Sequence, residues 1–476
     1  MMETIGAAKA SPSKEFFVNM LTRDIELEDA VLDLLDNCVD GILRSKPKLS
    51  DEKPYADFWA KITFCKDYFK IEDNCGGIPK DVAKKYAFSM GRQSASKLDS
   101  SGATIGMYGI GMKRAIFKMG RDATVSSHHD LDAYSVKFTS DWMSDDKWSD
   151  LPMYALEKGE LKQKGTVIEV HQLMADVAPH FSDDRWIERF RTIVSQHYAF
   201  IISKGFSITV DNGEKTNASN EPIKAESFSL LSSKYINEQE KLEPYIYTGE
   251  LKGVKIEIYA GFYRELLSQK ELDEQEEMPG DSSNAGWTIA CNDRVVVWKD
   301  KTRLTGWGEA SVPSYHTQFI AITGLVLLSS KDPKKLPLTT TKRGIDASRE
   351  IYSEVKDLMR EATKSLASFT NRWKKFPDKR NEIYRSSETL DLPSLQVRKS
   401  DLDSSKQMAS MRKVEGVKRY TPKLPEPKQE KTSARVSFVA EKKDIKKISS
   451  DLFDDRNVKP SVVGEAVFNR YLEELK

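Results

Sequence analysis

Between residues 33 and 113, three short clusters carry side chains whose types and spacing suit a phosphorylated ligand. The first is Asp33-Leu-Leu-Asp36-Asn37-Cys-Val-Asp40-Gly41. Asp33 and Asn37 stand four apart, so on a helix they share a face. A carboxylate and an amide placed this way can hold a water and a magnesium ion, which takes one or two protein oxygens and completes its octahedron with waters and phosphate oxygens. The second is Asp73-Asn-Cys-Gly76-Gly77-Ile78-Pro79. An Asp at the end of a strand can accept a hydrogen bond from an exocyclic amine, and the glycines let backbone approach a planar base without a Cβ in the way. The third is Gly106-Met-Tyr-Gly109-Ile-Gly111-Met-Lys113. Its glycines open backbone amides to phosphate oxygens at a helix N-terminus, which favours anions, and Lys113 adds a point charge.

Each cluster alone has an ordinary reading: a solvated acidic helix face, an Asx/Gly turn, a loop entering a helix. Other nucleotide chemistries are absent. A dinucleotide fold needs its glycines inside a strand–helix–strand unit, and the long polar loop before Gly106 argues against that. There is no GxxxxGK[ST] string and no HRD-type catalytic loop. No HExxH or Cys/His cluster points to a transition-metal site; His128-His129 is the only adjacent histidine pair.

The elements that must position these residues follow from periodicity. Apolar residues at Ile25, Leu27, Val31, Leu34, Leu35, Val39 and Leu43 predict a helix over 24–45. A hairpin of strands 60–64 and 68–73 turns at Lys66-Asp67. Residues 89–107 are a long Ser/Gly-rich loop of functional length, and a helix runs over 108–119. Strands are expected at 123–128, 132–139 and 166–172, and a helix at 186–202 closes the first unit. A second unit carries strands at 255–261, 287–292, 294–298 and 319–328. The loop Pro337-Leu-Thr-Thr-Thr-Lys342-Arg343-Gly-Ile-Asp346 leads into a long helix over 347–373.

In this order and spacing, the three clusters resemble the superfamily of gyrase, heat-shock chaperones, histidine kinases and MutL. Gly165-Thr166, opening a strand, matches the family's threonine near adenine. The resemblance covers about residues 15–205. It implies an α+β fold: a Bergerat-type α/β sandwich, with helices on one face of a mixed sheet. ATP and magnesium are the implied cofactors. The resemblance assigns Asp73, with Gly77, Ile78 and Thr166, to adenine and Asn37 to the metal. It gives Gly106, Gly109, Gly111 and Lys113 to the phosphates and makes residues 89–105 a lid. Asp33 stands where the family usually has the Glu that activates water, shorter by about 1.5 Å, which implies slow hydrolysis. Cys75 replaces a usual glycine, a change expected to be tolerated because Gly77 remains. The second unit resembles the ribosomal-protein-like transducer domain of the gyrase, MutL, MORC and heat-shock branches, and Lys342, with Arg343 as an adjacent alternative, matches the lysine or arginine which that domain presents to the γ-phosphate. The nearest resemblance is to MORC-like or bacterial stand-alone chaperone-like ATPases.

The implied activity is an ATPase switch or clamp with a lid and an ATP-driven homodimer. The alternatives are a nucleotide-gated binding module without turnover, a MORC-like nucleic-acid-binding ATPase, and a subunit of a bacterial defence assembly. Domains are expected at 1–205 (ATP-binding), 206–376 (transducer), 377–434 (a disordered basic linker) and 435–476 (a small element of strand RVSFV and helix VVGEAVFNRYLEEL that could dock a protein partner). Residues 374–447 hold 20 Lys/Arg against 11 Asp/Glu, which leaves about −8 on the rest of a chain of net charge +1. That basic stretch suits nucleic acid held by phosphate contacts. Four scattered cysteines, Cys38, Cys65, Cys75 and Cys291, suggest a reducing compartment. With no apolar signal core and no run of the roughly 18 apolar residues that span a bilayer, a cytoplasmic protein outside the membrane is expected.

Overall fold

The computed structural model describes residues 13–45, 52–89, 110–157, 161, 163–214, 221–234, 242–267, 283–339, 344–374, 376, 383–410, 417–427 and 435–475. Contacts divide the chain between 427 and 428 into two compact units.

The first unit opens with helices α1 (Lys14–Arg23) and α2 (Leu27–Ser45). The hairpin of β1 (Trp59–Phe64) and β2 (Tyr68–Asp73) follows. A short helix α3 (Lys80–Val82) runs on into a π turn over Ala83–Ala87. Then come α4 (Gly111–Met119), β3 (Gly120–His129), β4 (Asp132–Phe138), α5 (Ser140–Ser144), β5 (Met153–Ala155) and β6 (Gly165–Leu173). Helices α6 (Ala178–Phe181), α7 (Asp184–His197) and α8 (Ala199–Ser203) lead to β7 (Ser207–Asn212). The strands form one sheet in the order β5-β4-β3-β6-β2-β1-β7. It is mixed, because β7 pairs parallel to β1 while the other pairs are antiparallel.

Alternate residues of β1 are buried, as expected of a sheet with one covered face. That face shares a core with α2, α4 and α7. Phe64 anchors it, meeting Phe69, Phe181, Trp186 and Phe190 at ring-centroid distances of 4.8–5.7 Å. The arrangement is α+β with helices on one face of a mixed sheet.

A second sheet has the order β12-β11-β13-β10-β9-β16-β15. Its strands are β9 (Tyr245–Leu251), β10 (Val254–Phe262), β11 (Gly286–Cys291), β12 (Arg294–Asp300), β13 (Ile322–Ser329), β15 (Ala409–Ser410) and β16 (Lys418–Tyr420). A two-stranded ladder joins β8 (Ser229–Ser233) to β14 (Ser387–Asp391). The helix Glu350–Trp373 packs on β10 and β13. The opposite face is closed by Phe228, Leu230, Leu395 and Leu402. With both faces covered, β10 is buried at eight of its nine positions, so it reads as an apolar run rather than an alternation.

Several expected boundaries move. The first helix starts at Leu27, and Lys14–Arg23 is a helix of its own. The first sheet needs β7, so its unit reaches 212 rather than 205. The expected linker 377–434 is partly folded: β14, the helix Leu392–Ser404, β15 and β16 belong to the first compact unit, which runs to residue 427. The expected strand RVSFV is irregular, with Val436, Phe438 and Val439 exposed. The remaining unit is a pair of contacting helices, Lys442–Phe453 and Pro460–Glu474, of which the second matches expectation. No described helix is long and apolar enough to cross a membrane.

Candidate functional site

Helix α2 begins with Glu28 and Asp29 in its first turn, where carboxylates suit the positive end of the helix dipole. Thirteen of its nineteen residues are buried. Asn37 is the one position between 31 and 40 that is not. Asn37 is half-buried. The helix lies hard against the turn after β2: a Cβ on Gly41 would stand 2.6 Å from the Cys75 carbonyl oxygen.

That turn holds Asp73. Its Oδ1 accepts the Cys75 N–H at 2.7 Å, closing an Asx-type turn. Its Oδ2 accepts a weak bond from the Cys38 thiol, at 3.5 Å. The Thr166 amide also donates to the carboxyl. Burial pushes Asp73 up to about 6, against the hydrogen bonds from Cys75, Cys38 and Thr166 that favour the ionised form. Cys75 fits where a glycine was expected because its thiol turns inward toward Cys38. Gly76 and Gly77 then carry the left-handed backbone, at φ +97° and +71°. Ile78 is fixed from the neighbouring strands: its N–H donates to Ser127 Oγ at 2.7 Å, and its carbonyl accepts the Tyr134 hydroxyl at 2.8 Å.

Strand β6 enters beside this turn. A Cβ on Gly165 would fall 1.9 Å from the Asp73 carbonyl oxygen, so only glycine lets Thr166 reach the Asp73 carboxyl. Gly165→Ala is expected to cost about 1–3 kcal/mol by overpacking and to weaken nucleotide binding at least tenfold, as thermal unfolding and calorimetric titration would read. Unchanged affinity would detach Thr166 from the site.

Helix α4 brings the third side. Its N-cap residue, Ile110, supplies no side-chain cap, and the first backbone N–H groups of a helix suit an anion. Gly111 is packed against Asp33: a Cβ there would lie 3.2 Å from Oδ2 and 3.3 Å from Cγ. Asp33 is 3% exposed, and its Oδ2 accepts a charge-assisted bond from Arg114 Nη2. Lys113, assigned to phosphates by resemblance, is also buried, and its Nζ donates to the Ala87 carbonyl at 2.8 Å. In this structure its side chain tethers α4 to the π turn.

The structure therefore brings Asp33, Asn37, Asp73, Gly77, Ile78, Thr166 and Gly111 around one region, with Lys113 directed toward Ala87. Gly106, Gly109, Lys342 and Arg343, and all of the expected lid but Ser89, lie outside the described residues. Sequence reasoning missed Arg114, although its place in the first turn of α4 was a signal that some cation would face α2. It also missed Arg294, which reaches Asp36 from the second sheet. No described group of three or more His, Cys, Asp or Glu residues forms a metal site. A buried acceptor, glycine-lined backbone and an uncapped helix end fit an adenine nucleotide.

Residues 25–166 match the family described as histidine kinase-, DNA gyrase B-, and HSP90-like ATPase. No curated protein matches the chain. The match runs from the approach to α2 through Thr166, and so spans every nucleotide-facing element described above. Residues 25–166 are thus an ATPase domain of the histidine kinase-, DNA gyrase B- and HSP90-like superfamily.

Proposed function

We propose that the protein is an ATP-dependent switch that binds ATP with magnesium and hydrolyses it slowly. The observation that carries this reading is the convergence of α2, the β2 turn, the start of β6 and the N-terminus of α4. Asp73 accepts the adenine amine, with Thr166, Gly77 and Ile78 flanking the base. Asn37 would hold magnesium, which would supply positive charge against the phosphates. Gly106, Gly109, Gly111 and the N-terminal end of α4 receive the phosphates. Lys113 joins them only by leaving Ala87. Asp33 positions the attacking water as general base, and Arg114 fixes one of its oxygens. Lys342, on the loop before the helix Glu350–Trp373, meets the γ-phosphate. Lid closure over 89–105 and pairing of two protomers complete the cycle.

Nucleic-acid binding through the basic stretch has less support. Within the fold, Arg398, Lys399, Lys418 and Arg419 are each tied to carboxylates, of Glu243, Glu257, Asp403 and Glu361 respectively.

Calorimetric titration of the wild-type chain with a non-hydrolysable ATP analogue tests the reading. Binding that strengthens with magnesium is expected, and Asn37→Ala should remove most of the magnesium dependence while the protein stays folded. A folded wild type that binds no analogue would sink the proposal.

A further inference from the structure

The turn between β11 and β12 reaches out of the second sheet into the ATPase domain. Asn292 and Asp293 both have left-handed backbone, at φ +47° and +66°, the geometry of a tight type I′ hairpin. The tip is fastened to its own sheet: the Asn292 N–H donates to the Leu328 carbonyl at 2.8 Å, and its side chain exchanges bonds with Ser330 at 2.9 and 3.1 Å. It is equally fastened to the first domain. Asp293 accepts Lys204 Nζ at 2.6 Å and the Tyr55 hydroxyl at 3.1 Å. The Val295 carbonyl meets His197 Nδ1 at 2.7 Å.

Arg294 lies at the centre of this contact, 2% exposed. Its Nε donates to Asp36 Oδ1 at 2.9 Å, and its Nη1 donates to the His197 carbonyl at 3.1 Å. Its guanidinium lies 4.3 Å from the centre of the Tyr198 ring. The Tyr198 hydroxyl donates to the same Asp36 oxygen at 2.7 Å and to the Leu32 carbonyl at 2.9 Å. Asp36 immediately precedes Asn37 and lies one turn after Asp33, whose own carboxylate is held by Arg114 on α4. Helix α2 is therefore clamped at two carboxylates by two arginines, one from the phosphate side of the pocket and one from the second sheet.

A buried ion pair is seldom the most stable filling for such a place, since apolar residues of similar volume often do as well or better. Its distinct property is a fixed geometry, and Arg presents a rigid planar fork where Lys would offer a point charge. We propose that Arg294, through Asp36 and Tyr198, is a positioning residue of the nucleotide site: it sets the placement of α2, and with it Asn37 and Asp33, and ties that placement to the second sheet. This inference rests on the ATP reading above.

The test pairs Tyr198→Phe, Arg294→Lys and the apolar double variant Asp36→Leu/Arg294→Met with the wild type. Thermal unfolding, affinity for the ATP analogue and steady-state turnover are read on each. Small displacements of a catalytic group cost on the order of 100-fold. The double variant and Arg294→Lys are expected to lower kcat by about that factor, with analogue affinity changed less than tenfold and the fold kept. Tyr198→Phe, which keeps the ring and removes one hydroxyl, should lower kcat by roughly three- to tenfold. If the double variant fails to fold, Tyr198→Phe and Arg294→Lys carry the test. Folded variants with wild-type kcat and affinity would overturn the inference and leave the pair as packing alone. A wild type that binds no analogue would overturn the ATP reading instead.

Discussion

Asp73→Asn is expected to stabilise the nucleotide-free protein and to abolish its nucleotide binding. Both effects have one cause. The Asp73 carboxyl is pushed up to about 6 from an ordinary 3.8, chiefly by burial. Between those values the folded protein binds more protons than the unfolded chain, so stability falls as pH rises through this window and stays reduced above it. The ionised carboxylate costs at most about 3 kcal/mol at neutral pH. An Asn carries no charge to desolvate but satisfies the Cys38 thiol and Thr166 amide less well, so a net gain of about 1–2 kcal/mol remains. That gain would appear as a rise of a few degrees in Tm at pH 7.5, shrinking toward pH 4.

Binding moves the other way. An adenine amine needs an acceptor, and the ionised Asp73 offers Oδ2, whose thiol contact from Cys38 is long at 3.5 Å. In Asn the amide nitrogen takes one of the two oxygen positions, and donor would face donor. Loss of at least 100-fold in affinity, about 3 kcal/mol, is expected. In the wild type, affinity should weaken as pH falls below about 6, where the carboxyl holds its proton. Calorimetry in buffers of different ionisation enthalpy would then show protons released on binding near that pH. A mutant that is both less stable and still able to bind would remove Asp73 from the adenine site.

How much of this could be read from the sequence depends on how local each relation is. The positions of Asp73 at a strand end and Gly77 in the turn after it were legible because they are short-range features, whereas Thr166 entered through the family resemblance. The helix through Asp33 and Asn37 was legible from its apolar spacing. The pairings made by arginine were not. Lys113 and Arg114 are neighbours on α4, and about 100° of helical rotation decides which one meets Asp33 and which turns to Ala87. The Arg294–Asp36 contact spans 258 residues, and no spacing rule reaches that far. In the sequence, Arg294 is simply the first residue of a strand.

Composition misled in the stretch 377–434. Its Ser, Lys and Pro content reads as linker, yet Leu395, Arg398 and Leu402 alone give the helix Leu392–Ser404 its buried side. The three-residue strand β16 is defined by its partner β9 rather than by its own apolar content. RVSFV fails in the opposite sense. Its alternation suits a strand, but among the described residues it has no ladder partner, and β propensity is chiefly a measure of fit to neighbouring strands.

Asp33→Glu restores the side chain that the resemblance leads one to expect at this position, and it is nonetheless expected to lower turnover here. Helix α4 packs directly against Asp33. A Cβ at Gly111 would lie 3.2–3.4 Å from Oδ2, Cγ and Cβ of Asp33, and Arg114 grips Oδ2 from the same first turn of α4. An added methylene has to drive the carboxylate into Gly111 or off Arg114. Overpacking of this kind costs about 1–3 kcal/mol of stability, and displacement of the base by ~1 Å costs on the order of 100-fold in rate. Asp33→Asn keeps the volume and removes the base, so kcat should fall by about 10²–10⁴ while affinity for the ATP analogue changes only a few-fold. Steady-state turnover and calorimetry on the two variants separate these causes. Turnover raised by Glu would mean that α4 is not fitted to the shorter residue. Turnover surviving in Asn would mean that water is activated elsewhere. The combination of a slow Glu variant, a dead Asn variant and intact binding in both is the signature of an Asp-based site with α4 packed against it.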